Sequence, residues 1–191
     1  MELQGERLIP ASVDKTWASL NDPDVLKACI AGCETLERTG EDSLTAVVAL
    51  KVGPVSARFK GNLKMTNVQP PSGYTINFDG QGGVAGFGKG SADVALTAEG
   101  ASTRLKYNAR AQVGGKMAQV GSRLIDAAAG KITEDFFKAF EAHLQASAAP
   151  AGAEPVAAAA VTDPSGAAGM TKLWWLIGGV VLLAILYFLI R

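Results

Sequence analysis

The chain has 191 residues, and its 18 basic (Lys and Arg) side chains equal its 18 acidic (Asp and Glu) side chains in number. This length accommodates one domain of ordinary size plus additional segments. Because proteins that bind nucleic acid usually carry an excess of positive charge, the balanced composition argues against nucleic acid as a partner.

The first thirty residues predict a short strand followed by two short helices. The strand ends at Pro10, and Ser12 then offers an N-cap for the first helix. Asp22-Pro23 begins the second helix, which runs through Ile30. The opening MELQGERLIP has acidic side chains and no apolar core, so we expect no secretory signal.

Most of the chain between residues 44 and 113 alternates apolar and polar side chains with a period of two, which indicates half-buried antiparallel strands. Turn residues such as Gly53-Pro54 and Glu99-Gly100 separate the alternating segments. Because the connections are short, we expect consecutive strands to pair as an up-and-down meander. The five alternating segments are 44–52, 55–65, 74–78, 92–98 and 105–113.

The region 116–145 predicts one long helix, because apolar residues recur along a single face at intervals of four. The predicted fold class is therefore α+β, with a curved antiparallel β-sheet wrapped around a long C-terminal α-helix in a domain of residues 1–145. The apolar face of the helix consists of Val120, Leu124, Ala128, Ile132, Phe136, Phe140 and Leu144.

The predicted inner face of the sheet carries unusually small side chains, such as Ala57, Gly61 and Ala109, opposite the small residues 127–130 of the helix. Small residues on both sides indicate either close packing of helix on sheet or a cavity. Because an empty cavity costs stability, a persistent one is usually kept for a ligand, and we expect an apolar ligand cavity here. The predicted ligand-binding residues are Trp17, Phe59, Met65, Phe78, Phe87, Tyr107, Met117, Val120 and Leu124.

The stretch FDGQGGVAGFGKGSA, residues 78–92, is similar to nucleotide-binding glycine loops. A phosphate site of that kind needs a helix directly after the loop, whereas another alternating segment, SADVALTAE, follows here. We therefore predict a glycine-rich hairpin at the mouth of the cavity, with Phe87 as part of a flexible gate.

Basic side chains dominate the predicted outer face of the sheet, where Asp79 and Asp93 are the acidic residues. This face is suited to anionic lipid headgroups or to an acidic protein surface. The alternative is a solvated face that acidic residues elsewhere balance. The basic residues are Lys51, Arg58, Lys60, Lys64, Arg104, Lys106 and Arg110.

The C-terminal part of the chain has a different composition from the rest. Residues 146–171 are rich in Ala, Pro and Gly and predict a flexible linker. Residues 173–190 contain no charged side chain, and as a helix they would be about 27 Å long, close to the ~30 Å apolar core of a bilayer. We expect residues 172–191 to form a C-terminal transmembrane anchor, the alternative being a buried core helix. The predicted interface residues are Lys172, Trp174, Trp175, Tyr187 and Arg191.

Few side chains are suited to catalysis or to metal binding. Cys29 and Cys33 are two thiols, which alone make a poor zinc site, and we expect both to be reduced and structural. His143 has no evident partner for a catalytic triad. Parity places the charged residues of the predicted strands on the outer face, so we expect neither an enzyme nor a bound metal.

Four motifs carry a family resemblance that covers residues 1–145. They are the run from Pro10 to Pro23 that contains Trp17 and LNDP, ACIAGCE at 28–34, KVGPVSARFKG at 51–61, and GKGSADVAL followed by VGGKMAQVGSRLID. With them the chain resembles the CoxG family of carbon monoxide dehydrogenase subunits, a branch of the helix-grip superfamily that includes START lipid-transfer domains and pollen allergens. Ala31 stands where the family usually has Pro.

The resemblance implies a partner, a molybdenum hydroxylase-type carbon monoxide dehydrogenase, which carries its own cofactors. It implies a non-enzymatic adaptor that recruits this enzyme to the cytoplasmic membrane and binds or delivers respiratory quinone in the apolar cavity. Quinone and membrane lipid are then further partners, and the body lies in the cytoplasm. The alternatives are an assembly or maturation factor without a ligand, and a cyclase-type enzyme, which needs an ionisable group in the cavity.

Overall fold

The computed structural model describes residues 1–148, which fall within one compact unit, Met1–Ala151. The predicted transmembrane segment and residues 149–171 of the predicted linker lie outside the described residues. Within residues 1–148, no helix is long and apolar enough to span a bilayer. The elements are β1 (Glu2–Ile9), α1 (Val13–Leu20), α2 (Pro23–Cys29), β2 (Cys33–Gly40), β3 (Ser43–Val52), β4 (Val55–Gln69), β5 (Gly73–Gln81), a 3₁₀ turn (Gly83–Ala85), β6 (Phe87–Glu99), β7 (Ser102–Gly114), α3 (Lys116–Gln119) and α4 (Ser122–Ala148).

The seven strands form one antiparallel sheet in the order β1-β7-β6-β5-β4-β3-β2. Strands β2 to β7 pair with their neighbours in sequence, which confirms the predicted meander, and β1 pairs with β7. Strand β2 was not among the predicted strands. It is an edge strand in which Leu36 is the one buried residue, so it lacks the alternation of a half-buried strand.

The two N-terminal helices begin where the capping residues predict. The Ser12 hydroxyl accepts a hydrogen bond from the backbone N–H of Lys15, and the Asp22 carboxylate accepts one from the N–H of Asp24. Pro23 occupies the first turn of α2, where its missing N–H has no helical partner to lose.

The predicted single helix of residues 116–145 is broken in the structure, and this corrects the sequence prediction. The short helix α3 ends at Gln119, and α4 begins at Ser122 after Gly121, whose φ is 93°. A φ in that region suits glycine and ends a right-handed helix. Helix α4 then continues to Ala148, three residues past the predicted end.

The packed core lies at one end of the sheet, between the inner face and three helices. One cluster joins the second half of α4 to α1, α2, β1, β6 and β7, and within it Phe140 and Leu144 are 0% and 1% exposed. A second cluster, which includes Met65 and Tyr74, lies under Trp17 on strands β2 to β5. The end of the sheet near the β3–β4, β5–β6 and β7–α3 connections belongs to neither cluster.

Candidate ligand site on the inner face

The inner face of the sheet has a packed end and an open half. We define the open half by the inner-face residues that are half-buried and that, within residues 1–148, belong to neither core cluster. An apolar concave surface that the protein leaves unpacked is the kind of surface that binds apolar ligands. On strands β3 to β7 the open half consists of Leu50, Val55, Ala57, Phe59, Gly61, Phe78, Gly80, Gly88, Gly90, Ala92, Ala109, Ala111 and Val113.

Three glycines form a row across the middle of the open half. Gly61 pairs with Gly80 across β4 and β5, and Gly80 pairs with Gly88 across β5 and β6. A β-carbon added to Gly88 would meet no atom within 4 Å, and one added to Gly80 would meet only sheet backbone, at 3.8 Å or more. No side-chain atom therefore lies within 4 Å of the β-carbon positions of this glycine row.

Two aromatic side chains of the open half lie against glycines of neighbouring segments of the same chain. Phe78 pairs directly with Gly90, where an added β-carbon would lie 2.9 Å from Phe78 Cζ. Phe59 lies against Gly82 in the same way, with its Cε1 atom 2.6 Å from the added β-carbon. An aromatic ring over a strand glycine covers backbone that glycine leaves bare. Both rings lie over glycine backbone at the base of the open half.

Tyr107 lies at the border between the open half and the core. Its strand partner is Gly5, and an added β-carbon there would lie 2.8 Å from Tyr107 Cζ. On the other side the Tyr107 ring lies 5.5 Å, centroid to centroid, from that of Phe137 on α4. The residue thus supports the helix and also bounds the open half.

The other predicted ligand-binding residues are distributed over the packed end and the α3 region. Met65 is buried in the second core cluster, and Trp17 packs edge-on against Tyr74 at 5.4 Å. Met117 is buried in α3, which contacts the 3₁₀ turn, and Val120 is half-buried at the end of α3. The structure therefore places Phe59 and Phe78 on the inner face of the open half and Tyr107 at its border, whereas Trp17 and Met65 pack in the core.

Two predicted ligand-binding residues lie away from the inner face. Phe87 shares the parity of Lys89 on β6 and lies on the outer face beside its strand partner Gly114. Leu124 is 49% exposed, because the break at Gly121 redirects the first turn of α4. The prediction failed at Phe87 because the strand begins directly after the glycine loop, so its parity was not readable from the loop.

The glycine-rich loop is a compact turn. The N–H of Gly82 donates to the carbonyl of Gly86 at 2.8 Å, and residues 83–85 form the 3₁₀ turn. Gly86 has a φ of 112° and lies so close to Gly114 and Gly115 that no β-carbon fits between them. These glycines allow close contact between two backbones, and this contact accounts for them without a nucleotide site. The loop therefore differs from the flexible hairpin that we expected.

Arg7 on β1 and Arg38 on β2 face inward, which corrects the expectation that all charged residues of the strands face outward. Arg7 on β1 shares the parity of Ile9, forms an ion pair with Glu134 on α4, and has its guanidinium carbon 5.5 Å from the Phe137 ring centroid. Lys138 lies 3.8 Å from the same carboxylate. Since Arg7 is paired with both a carboxylate and an aromatic ring, it joins α4 to the edge of the sheet.

The basic residues of the outer face divide into two groups. The arginines pair with carboxylates: Arg58 with Glu34, Arg104 with Glu6 and Glu99, and Arg110 with Glu2. Within residues 1–148, the lysines of this face form no ion pair. A shallow depression of about 800 Å³ also lies on the outer face, lined by Asp79, Lys89, Arg110 and their neighbours. Carboxylates of the body therefore balance the arginines of this face, whereas the lysines are exposed without an ion pair.

The two cysteines are free thiols within a structural setting. Cys29 is buried at the end of α2, and burial raises the pKa of its thiol. Burial also raises the pKa of the Cys33 thiol, against a smaller opposing effect of Lys27. A raised pKa keeps both sulfurs protonated and poorly nucleophilic near neutral pH. Among the described residues, no group of three His, Cys, Asp or Glu side chains could hold a metal ion.

Comparison with known structures defines the class of fold. A START superfamily protein from Mycobacterium smegmatis matches with a TM-score of 0.59 at 15% identity, over 76% of this chain and 97% of that chain. Zhui aromatase/cyclase from Streptomyces sp. R1128 matches with a TM-score of 0.54 at 12% identity, over 76% and 93%. At these identities the likeness concerns the fold alone, a START-like sheet that curves around a C-terminal helix.

The family of the chain is a narrower assignment than its fold class. The model of the CoxG family of carbon monoxide dehydrogenase subunits matches residues 5–145, and the chain belongs to this family. A conserved protein from Geobacillus kaustophilus is similar over 77% of this chain and 97% of its own, with 31% identity and a TM-score of 0.73. None of the curated proteins matches the chain. The family name implies an accessory protein associated with carbon monoxide dehydrogenase.

Proposed function

We propose that this protein is a non-enzymatic, membrane-anchored adaptor that binds respiratory quinone in the open half and recruits a molybdenum-containing carbon monoxide dehydrogenase to the cytoplasmic membrane. The observation that carries the proposal is the glycine row, Gly61, Gly80 and Gly88, where no side-chain atom lies within 4 Å of an added β-carbon. A protein that keeps apolar concave surface unfilled gives up packing energy, and a ligand compensates for that loss.

The chemistry of the open half supports quinone as the ligand. Its surface consists of apolar side chains and strand backbone, and the two arginines that face inward already have partners, Arg7 in the Glu134 carboxylate and Arg38 in backbone carbonyls. Quinones are flat, apolar and dissolved in the bilayer, so their binding needs apolar area and little charge. The flat floor formed by the glycine row and the Phe78 ring suits a planar ring system.

The sequence supports the membrane half of the proposal. Residues 173–190 are long and apolar enough to cross a bilayer, and residues 146–171 have the composition of a linker. A tether of this kind keeps the ligand-binding body at high effective concentration beside the quinone pool. The partner follows from the family, whose name links it to carbon monoxide dehydrogenase.

The quinone half is tested by extraction of the purified full chain. We expect solvent extraction and mass spectrometry to find quinone bound to the protein after purification in detergent. Added quinone should raise the midpoint of thermal unfolding, because a ligand that binds only the folded state stabilises it. An extract without quinone, together with an unchanged midpoint, would remove quinone from the proposal.

The recruitment half is tested by deletion of residues 173–191 in the native cell. We expect the dehydrogenase to move from the membrane fraction to the cytoplasmic fraction while it keeps its activity with an artificial electron acceptor. If the dehydrogenase lacks activity with every acceptor when the whole protein is deleted, the assembly-factor alternative replaces the adaptor. If the distribution of the enzyme is unchanged, recruitment is wrong.

A further inference from the structure

The end of the body next to the open half carries exposed apolar side chains on three neighbouring connections, which we call the rim. The rim consists of residues 53–54, 82–86 and 115–124. Val84 at the tip of the 3₁₀ turn is 85% exposed, and Leu124 is 49% exposed. These connections are adjacent, since Gly86 packs on Gly115 and the Leu124 Cδ1 atom lies 3.6 Å from a β-carbon added to Gly53.

Basic residues surround the apolar side chains of the rim. They are Lys51, Lys89, Lys116 and Arg123, all exposed, and within residues 1–148 none of them forms an ion pair. Asp126 is the acidic residue closest to them in α4. Exposed apolar side chains among unpaired cations match the surface of a bilayer that contains anionic lipid.

The opposite end of the body carries several carboxylates together with Lys27, Arg38 and Arg104. The α1–α2 junction and the β2–β3 turn lie side by side there, because the Arg38 guanidinium donates hydrogen bonds to the carbonyls of Asn21 and Glu41. The carboxylates at this end are Asp22, Asp24, Glu41, Asp42 and Glu99. The cations of the rim form no ion pair within residues 1–148, so an anionic surface attracts the rim more than it attracts this end of the body.

We infer that the rim docks on anionic membrane lipid, with Val84 and Leu124 in the interface and the basic residues at the headgroups. This contact belongs to the body itself and so goes beyond the proposed anchoring by the C-terminal segment. The open half lies beside the rim, so docking brings its mouth to the bilayer surface. A quinone then moves between bilayer and protein without crossing water.

The experiment uses the full chain with Cys33→Ser, which replaces the half-buried thiol by a hydroxyl, and with Val84→Cys as the labelling site. The buried Cys29 stays unlabelled in the folded protein. The probe is an environment-sensitive fluorophore on position 84, with Glu41→Cys at the opposite end as the matched control. The vesicles contain phosphatidylcholine with phosphatidylglycerol, or phosphatidylcholine alone.

We expect the label at position 84 to shift to shorter emission wavelength and to be quenched by spin-labelled lipid in vesicles with phosphatidylglycerol. The label at position 41 stays in water. Reversal of Lys116 and Arg123 to Glu should lower the fraction of quenched label, with about a fivefold weaker body–lipid contact for each charge removed. Salt at about 1 M, which shortens the Debye length to ~3 Å, should have the same effect.

Three results would overturn the inference. The first is a label at position 84 that stays as wet as the label at position 41. The second is a label at position 84 that is shielded from water without vesicles, to an extent that depends on protein concentration. That result assigns the rim to contact with a second copy of the chain. The third is a label at position 84 that is shielded from water only when the dehydrogenase is present. That result assigns the rim to contact with the enzyme. Quinone content, measured on the same samples, reports separately on the proposed function.

Discussion

Gly88 and Gly80 lie directly opposite each other on strands β6 and β5, on the inner face of the sheet, and no side-chain atom lies within 4 Å of a β-carbon added to either of them. Glycine inside a strand weakens it, because it has no side chain to pack and loses more backbone freedom on folding. The row that these residues form with Gly61 therefore lowers the stability of the fold. It does so at the place where we propose that a ligand binds. It marks the proposed ligand site more clearly than the aromatic residues around it do.

Gly88→Leu should reduce quinone loading without loss of stability. The new side chain enters open space above the sheet, where a β-carbon meets no atom within 4 Å. Because leucine packs and restricts the strand better than glycine, the free energy of unfolding should stay the same or rise by up to about 1 kcal/mol. The measurement is the molar ratio of quinone to protein in solvent extracts, with urea unfolding in parallel. Thr97→Leu, on the exposed outer face of the same strand, is the control and should load normally.

Phe140→Ala should destabilise the body by about 3–5 kcal/mol, as expected for a fully buried aromatic side chain. Phe140 is 0% exposed and its ring stacks on that of Phe136 with a centroid distance of 5.7 Å. Val84→Ala is the comparison, since Val84 is 85% exposed and its replacement should stay within about 0.5 kcal/mol. Urea unfolding followed by tryptophan fluorescence measures both. Equal effects would contradict the position of the core at the second half of α4.

Two glycines of the same loop should respond differently to alanine. Gly86 has a φ of 112° and no room for a β-carbon beside Gly114, so Gly86→Ala should cost about 2 kcal/mol or more. Gly83 has a φ of 59° with open space around it, so Gly83→Ala should cost only about 1 kcal/mol, from backbone strain. Urea unfolding of the two variants checks the difference. The reverse order would show that the loop does not pack on the β7–α3 connection.

The stability of the body should fall above about pH 10 because of Tyr74. Burial raises the pKa of its phenol above the ordinary value of 10.0, so the folded state holds the proton more tightly than the unfolded state. The contribution of Tyr74 is therefore complete below about pH 10 and is lost at about 1.4 kcal/mol per pH unit above it. Urea unfolding at about pH 8 and about pH 11 should show a smaller loss for Tyr74→Phe than for the natural protein. Equal losses would show that other groups cause the alkaline effect.

The sequence predicted most of the secondary structure because the inner and outer faces of this sheet differ in polarity. Strands β3 to β7 alternate clearly, so their existence and their meander order were readable from residues 44–113. The edge strand β2 was not predicted, because Leu36 is its only buried residue and the strand therefore does not alternate between apolar and polar side chains. The break before α4 was also missed, because a single Gly121 does not interrupt the apolar period on which the helix prediction rested.

The candidate ligand site was predicted only in part, because the sequence does not show how neighbouring strands are aligned. Phe59 and Phe78 were assigned to the inner face by parity, and the structure places them there. The glycine row was not predicted, because its members are about nineteen and eight positions apart, and only strand pairing aligns them. Phe87 was predicted to lie in a flexible loop at the mouth of the cavity, whereas it begins strand β6 and lies on the outer face.

The sequence by itself determined the alternation of the strands, the capped starts of α1 and α2, the family motifs and the apolar character of residues 173–190, because each of these depends on residues close together in the chain. The tertiary structure decided which glycines align, where α4 stops packing on the sheet, that Arg7 faces Glu134, and that cations without an ion pair surround the rim. Those features join residues that are tens of positions apart, and only the pairing of strands and the docking of α4 fix their distances.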